Sequence, residues 1–207
     1  WIGKCNKEHK QCVVERAIAK LKAITLIDVR NQRLIHYKPG LQYVALSYVW
    51  GRGVVIPKRK PGRPSDLPDN ISRTVIHAMF VADKIGIPFL WADAVCINQH
   101  DAKEKKQQFP LMDYIYEQAF ATIVSLGDNA TVGLPGVDNG PSRYPQVAAE
   151  FGSLKLLSRC PKLESEIQNS KWSTRGWTYQ EGLFSRRCIF FSQHQVYFHC
   201  NGMLCTE

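Results

Sequence analysis

The chain lacks any apolar run near the ~20 residues that a membrane-crossing helix requires. It also lacks a charged segment followed by an apolar core of the kind that opens a secretory leader. A cytoplasmic protein that does not enter a membrane is the expectation. There is no Cys-x-x-Cys pair, and the seven cysteines are odd in number and irregularly spaced. A disulfide framework is therefore not expected, and reduced thiols are. Cys5, His9 and Cys12 are ligand types, but a tetrahedral zinc site needs a fourth partner and tighter spacing, and His199-Cys200 with Cys205 is no stronger a set. No metal and no resident cofactor are expected. No Gly-Lys-Ser/Thr follows Gly51 and Gly53, which rules out a P-loop. Ser47 sits in no Gly-x-Ser-x-Gly elbow, which argues against a hydrolase triad. His77 and His194 have no acid–nucleophile company and read as surface residues.

Acids are missing from one stretch altogether. Arg52, Lys58, Arg59, Lys60 and Arg63 supply five cations without a carboxylate between them, in a chain whose net charge is +9. Gly53, Pro57, Pro61, Gly62 and Pro64 make this an exposed loop. Such a loop suits a phosphate-bearing ligand. No aromatics interleave with the charges and no nucleic-acid motif accompanies them, so nucleic acid is not the expected partner.

What is present is the composition of a globular protein. Hydrophobic residues make up 44% of the 207 positions and charged residues 22%, enough apolar side chains for one sizeable core. The chain starts at Trp1 rather than Met, as a piece excised from a longer protein with other domains would. Residues 9–22 read as a basic amphipathic helix within an N-terminal helical extension, 1–22, ahead of a main domain, 23–207.

Two short strands, 23–29 and 33–37, flank a turn at Arg30-Asn-Gln32. Residues 43–49 are almost wholly apolar and read as a strand buried on both faces. Asn70 is placed to cap a helix whose apolar positions Ile71, Val75, Ala78, Ala82 and Ile85 follow a 3.6-residue period up to Gly86. Residues 87–97 form a second buried strand, with Asp93 inside it. Asp101 and Glu104 open the next helix, which Pro110 kinks or delays. Residues 120–126 form a third buried strand, 127–145 a long loop, and 146–171 a helical segment. A terminal hairpin pairs 187–191 with 195–199. Alternating strands and helices predict an α/β fold with a mostly parallel sheet and right-handed crossovers, bearing hairpin additions at both ends.

In such sheets ligands bind beyond the carboxyl ends of the strands. The first buried strand ends at Ser47-Tyr-Val-Trp-Gly51 and the second at Cys96-Ile-Asn-Gln99. Asp93, if buried, must be paired or hydrogen-bonded, either tying Arg175 or a loop amide, or meeting a ligand. Asn98 suits a turn or a ligand contact. The heptapeptide Arg175-Gly-Trp-Thr-Tyr-Gln-Glu181 places Trp177 and Glu181 four residues apart. On a helix this stacks an aromatic ring and a carboxylate on one face. Partial desolvation beside the ring would tune that carboxyl for chemistry. A helix start with Trp177 in the core is the plainer alternative.

Three segments in this order, Tyr43-Val-Ala-Leu-Ser-Tyr-Val-Trp-Gly51, Leu90-Trp-Ala-Asp-Ala-Val-Cys-Ile-Asn-Gln99 and Arg175-Gly-Trp-Thr-Tyr-Gln-Glu181, closely resemble the fungal heterokaryon-incompatibility (HET) domain. Leu67-Pro68, Asn70-Ile71 and Met112-x-x-Ile115-Tyr116-x-x-Ala119 extend the resemblance across about 23–205. Ala92, in place of a bulky aliphatic residue, and Pro110 are its departures. The resemblance implies a role in the programmed death of fused fungal cells. It also implies a flavodoxin-like fold similar to the Toll/interleukin-1 receptor (TIR) domain.

Some TIR domains cleave NAD with one helix-borne glutamate preceded by an aromatic residue. The resemblance thus casts Glu181 as the catalytic residue. Ser47-Tyr48 at the end of the first buried strand also resembles the TIR pattern. Beside it, Trp50 or Trp177 suits stacking on a flat ring, Arg52 or Arg175 suits a pyrophosphate, and Gly51, Asp93 and Asn98 complete the expected binding residues for NAD or a related nucleotide. The resemblance also implies a homo-oligomer as the active state. A self-associating module without catalysis and a nucleic-acid-directed domain are the rival readings.

Overall fold

The computed structural model describes residues 1–14, 19–52, 66–176 and 178–207. The basic segment 53–63 and Trp177 therefore lie outside the described residues. The strands are β1 (Thr25–Asp28), β2 (Arg33–His36), β3 (Val44–Ser47), β4 (Phe89–Ala92), β5 (Ala121–Ser125), β6 (Ala148–Phe151), β7 (Leu154–Leu157), β8 (Arg187–Phe191), β9 (Val196–Cys200) and β10 (Met203–Thr206). Eight of them form one sheet in the order β10-β9-β8-β5-β3-β4-β1-β2. The central four, β8, β5, β3 and β4, run parallel. Counted among themselves in chain order, these four lie 2-1-3-4. The chain's progression across the sheet thus reverses beside β3. The outer pairings β1–β2, β1–β4, β8–β9 and β9–β10 are antiparallel.

Every residue of β3 and β5 is buried, as expected for strands covered on both faces. Val44, Ala45, Leu46, Ala121 and Ile123 join Trp91, Tyr43 and Ile97 in the main core, and Val124 belongs to a second, smaller one. Trp91 meets Tyr116 edge-on, ring centroids 5.6 Å apart. Between β3 and β4 runs α2 (Arg73–Lys84), with Val75, Ala78, Met79 and Ala82 turned inward. Asn70 does not cap it. The helix begins three residues later, with Ser72 at the N-cap. The loop carbonyl of Ala130 accepts the Thr74 amide at 2.9 Å, meeting one of the first-turn donors without a capping side chain. At the other end Gly86, at φ +83°, allows Gly86 N–H to reach Asp83 O and Ile87 N–H to reach Ala82 O. This is the Schellman arrangement, which glycine adopts without Cβ strain.

The N-terminal segment differs from the expected helix over 9–22. A helix, α1 (Ile2–Glu8), comes first, and Lys10–Cys12 is a 3₁₀ turn. Cys5 and Cys12 reach the main core, and Trp1 packs near Phe198 with ring centroids 6.3 Å apart.

The second buried strand is shorter than its apolar sequence suggests. β4 stops at Ala92, and Asp93 opens a one-turn helix, α3 (Asp93–Cys96). The Asp93 carboxylate accepts the Ala94 amide at 2.7 Å, a local bond that competes with strand extension. Next, α4 (Ala102–Gln108) is capped by Asp101, which accepts from the amides of Lys103 and Glu104. Replacing Asp101 with alanine is expected to cost about 1 kcal/mol, read as a shift in the denaturant midpoint. Pro110 falls in a 3₁₀ turn, Phe109–Leu111, that joins α4 to α5 (Met112–Gln118), where its missing amide leaves no donor for a continuous helix.

Residues 146–171 are not one helix. β6 and β7 pair as an exposed hairpin, with Phe151 opposite Leu154 across the turn Gly152-Ser153. Gly152 takes φ +59°, a value suited to a two-residue turn and not to a helix interior. Helix α6 (Leu163–Asn169) follows, then a 3₁₀ turn at Trp172–Thr174 and α7 (Thr178–Phe184). The terminal hairpin gains a third strand, β10, beyond the turn Asn201-Gly202. His77 is a further correction. It is buried at 3% exposure, and its Nδ1 accepts the Leu134 amide at 3.0 Å.

Candidate functional site

The carboxyl ends of β3 and β4 meet α5, α7 and the Trp172–Thr174 turn at one polar cluster inside the apolar core. Ser47 is the last residue of β3 and Glu181 lies on α7, 134 positions later, yet the Ser47 hydroxyl donates to Glu181 Oε2. The same hydroxyl accepts from the Trp172 indole N–H at 2.6 Å. Ser47 thereby links the sheet, the turn and the helix. Helix α7 is anchored again at its other end. The Ser185 hydroxyl bonds to the Glu181 carbonyl at 2.6 Å and to Thr122 of β5 at 2.6 Å. These ties fix the position and direction of the Glu181 side chain.

Glu181 is only 4% exposed. Burial pushes its carboxyl above the ordinary glutamate value; the Ser47 hydrogen bond, the Arg175 charge and the Tyr116 hydroxyl pull the other way, and the Asp93 charge adds to the rise. Asp93 is the second acid. Its two oxygens accept from the Trp50 indole N–H at 3.1 Å each. Burial raises its pKa as well, against the opposing pull of Trp50 and Arg175. Arg175 donates to the Tyr48 carbonyl, holding the guanidinium near both acids. One cation therefore serves the buried carboxyl of Glu181 and the half-buried carboxyl of Asp93.

A cavity of about 180 Å³ opens onto this cluster, lined by Trp50, Asp93, Ile97, Gln99, Phe109, Met112, Arg175 and Glu181. Binding pockets for whole drug-sized ligands are larger, about 300–1,000 Å³. This one suits a single flat ring between apolar walls, with carboxylates and a guanidinium at its base.

Of the residues singled out from sequence, Trp50, Asp93, Arg175 and Glu181 line the cavity together. Ser47 and Tyr48 are buried behind it and bond to its lining. Gly51 takes φ +81° with the Asn129 side chain close behind, so that an added Cβ would sit 2.6 Å from Asn129 Cγ. Arg52 is exposed and does not line the cavity among the described residues. Asn98 also stays outside the lining. Its side chain accepts the His100 amide at 3.2 Å in a local turn. Trp177 is outside the described residues.

Sequence reasoning missed Trp172 as part of this site and took Met112 and Tyr116 only as core, whereas Gln99, the end of the second strand segment, does line the cavity as its rim position suggested. Trp172 carries no local motif, and its partner Ser47 is 125 positions away.

The two raised carboxyls have a consequence for stability. A carboxyl whose folded pKa exceeds its unfolded value binds more protons when folded. Its contribution is then fully present below the unfolded pKa and is lost as pH rises through the folded one. Glu181→Gln removes one such group. The variant is expected to lose less stability than the parent as pH rises from the ordinary carboxylate range to the raised folded value. Denaturant midpoints measured across that window give the comparison.

A family model described as heterokaryon incompatibility protein (HET) matches residues 43–181. The chain is 33% identical over 125 residues to "Heterokaryon incompatibility protein 6, OR allele" of Neurospora crassa, an alignment covering 55% of this chain and 17% of that protein. This chain thus corresponds to a small part of that relative. No solved structure matches it.

Proposed function

Because the chain belongs to the heterokaryon incompatibility (HET) family, with the family's match ending at Glu181, we propose that it is the effector domain of a fungal cell-death response and that it hydrolyses NAD at the nicotinamide–ribose bond. The observation that carries this reading is the placement of Glu181: a desolvated carboxyl, fixed by Ser47 at a strand end, facing a ring-sized cavity. The 2-1-3-4 order of the parallel strands supports a flavodoxin-like and TIR-like assignment. In the flavodoxin-like order the ligand crevice lies where strands one and three diverge. Here those strands are β3 and β5, and Ser47 ends the first of them.

The chemistry follows from the charges. As the bond from ribose C1′ to the ring nitrogen breaks, its electron pair neutralises the pyridinium, and nicotinamide leaves without needing a general acid. Positive charge develops on the ribose, and the Glu181 carboxylate stabilises it. Water bonds to C1′, its proton passes to Glu181 and then to solvent, and ADP-ribose is released. The indole of Trp50 and the side chain of Met112 offer faces for the ring. Arg175 offers a cation for the ribose or pyrophosphate oxygens.

A second reading has its own support. Glu181 is nearly inaccessible and already hydrogen-bonded, as a purely structural tie in a self-associating module would be. A concentration series separates the two. The purified chain, incubated with NAD up to high protein concentration, should release nicotinamide and ADP-ribose in equal amounts. Self-association without either product at any concentration would favour the module.

A further inference from the structure

A second cluster of chemistry-bearing side chains lies away from this cavity, where the N-terminal segment meets β9. The fold brings Cys200, the last residue of β9, to Cys5, His9 and Cys12, so that the three sulfurs and an imidazole nitrogen all lie within 4.8 Å of one another. The fourth partner missing from the local spacing is thus supplied from 191 positions beyond His9. Sequence spacing alone does not reveal it, because only the pairing of β9 with β8 and β10 sets where Cys200 points.

We propose that Cys5, His9, Cys12 and Cys200 form a structural zinc site. Three thiolates and one imidazole are a standard closed set for tetrahedral zinc. A tetrahedron with Zn–S bonds of ~2.3 Å has edges of roughly 3.8 Å, so the cluster needs only slight contraction to close. His9 Nδ1 already sits 3.3 Å from Cys200 Sγ. Local structure holds the ligands in place. Cys5 is on α1, and the His9 amide caps that helix by bonding Cys5 O at 2.9 Å. The Cys12 amide bonds His9 O at 3.0 Å. Gly202 lies close against the imidazole, where an added Cβ would stand 2.5 Å from His9 Cδ2 and 2.6 Å from Nε2.

An independent feature points the same way. Arg187 is buried at 2% exposure, and a buried guanidinium calls for an anion. Its hydrogen-bond partners are Asn6 Oδ1, the Phe120 carbonyl and Cys5 Sγ, the last at 3.2 Å from Nε. No carboxylate pairs with it among the described residues. A zinc-bound Cys5 thiolate supplies that anion. The complex of Zn²⁺ with three thiolates carries one negative charge, and Arg187 balances it. Each thiol gives its proton to solvent on binding.

The site would join the first twelve residues to the last strands of the sheet, independently of the NAD reading. Protein purified under reducing conditions, without added metal, is expected to carry one zinc per chain by elemental mass spectrometry. Exchange into cobalt should give the intense visible bands of a tetrahedral thiolate site. Gly202→Ala, which keeps all four ligands but crowds the imidazole, should weaken metal binding about 10–100-fold. Cys200→Ser should weaken it further, and Cys205→Ser should leave it unchanged. A reduced chain that is metal-free as isolated and gives no cobalt spectrum would overturn the assignment. So would a disulfide between any two of the three sulfurs in the isolated protein. If Cys200→Ser fails to fold, the parent spectrum and Gly202→Ala still decide.

Discussion

Glu181→Gln is expected to lower the rate of nicotinamide release by about 10²–10³-fold, which corresponds to roughly 3–4 kcal/mol of lost transition-state stabilisation. The substitution is nearly isosteric, and its amide oxygen can still accept the Ser47 hydroxyl. The fold should therefore persist, and near neutral pH its stability should match or exceed that of the parent, because a desolvated carboxyl has been removed. The loss should fall on kcat while KM changes little, since the carboxylate acts on charge that appears only as the glycosidic bond breaks. The parent should also lose activity as pH falls through the raised pKa of Glu181, because the protonated acid cannot stabilise a cation. Steady-state kinetics of both proteins, with a thermal melt of each, check all three statements. An unchanged kcat in a folded Glu181→Gln variant would remove Glu181 from the chemistry.

The largest effect on stability is expected at Trp172. Its ring is 5% exposed and packs edge-on against Phe190, centroids 6.2 Å apart, in a small cluster with Val49, Val124, Leu163 and Tyr197. Trp172→Ala leaves a large void that this cluster cannot fill by collapse, and about 3–5 kcal/mol of stability should be lost. Trp172→Phe keeps most of the ring but strips the N–H from Ser47. The buried hydroxyl then loses its donor, and about 1–3 kcal/mol is the expected cost. The same variant frees Ser47 to rotate away from Glu181, so nicotinamide release should fall in a protein that remains folded. Denaturant unfolding of both variants gives the two numbers. A Trp172→Phe protein with parental stability and activity would show that the indole N–H does not position the site.

These two residues also mark how far the sequence could be read. The parallel strands were legible because burial on both faces writes itself as continuous apolar runs such as Val44-Ala-Leu. Helix α2 was legible from its 3.6-residue period, and its end from Gly86. Ser47 and the other strand-end residues stood out because polar groups at the rim of an apolar run need a reason, and Glu181 because it falls one helical turn after an aromatic residue in a motif-bearing heptapeptide. Boundaries set by local polar competition were harder. Asp93 ends β4 through a bond to its neighbour's amide, and no periodicity records that. The hairpin of β6 and β7 was misread because its exposed alternation carries no buried face to distinguish it from a helix. Contacts between distant segments were not legible at all. Trp172 with Ser47 and Cys200 with His9 exist only once the sheet order is fixed.

The most direct test of the central claim is a crystal structure of Glu181→Gln with NAD, the variant serving to hold the substrate unreacted. The nicotinamide ring should occupy the cavity between Trp50 and Met112. Ribose C1′ should stand within about 3.5 Å of the side chain at position 181. Nucleotide bound at another surface, or a cavity left empty at saturating NAD, would contradict it.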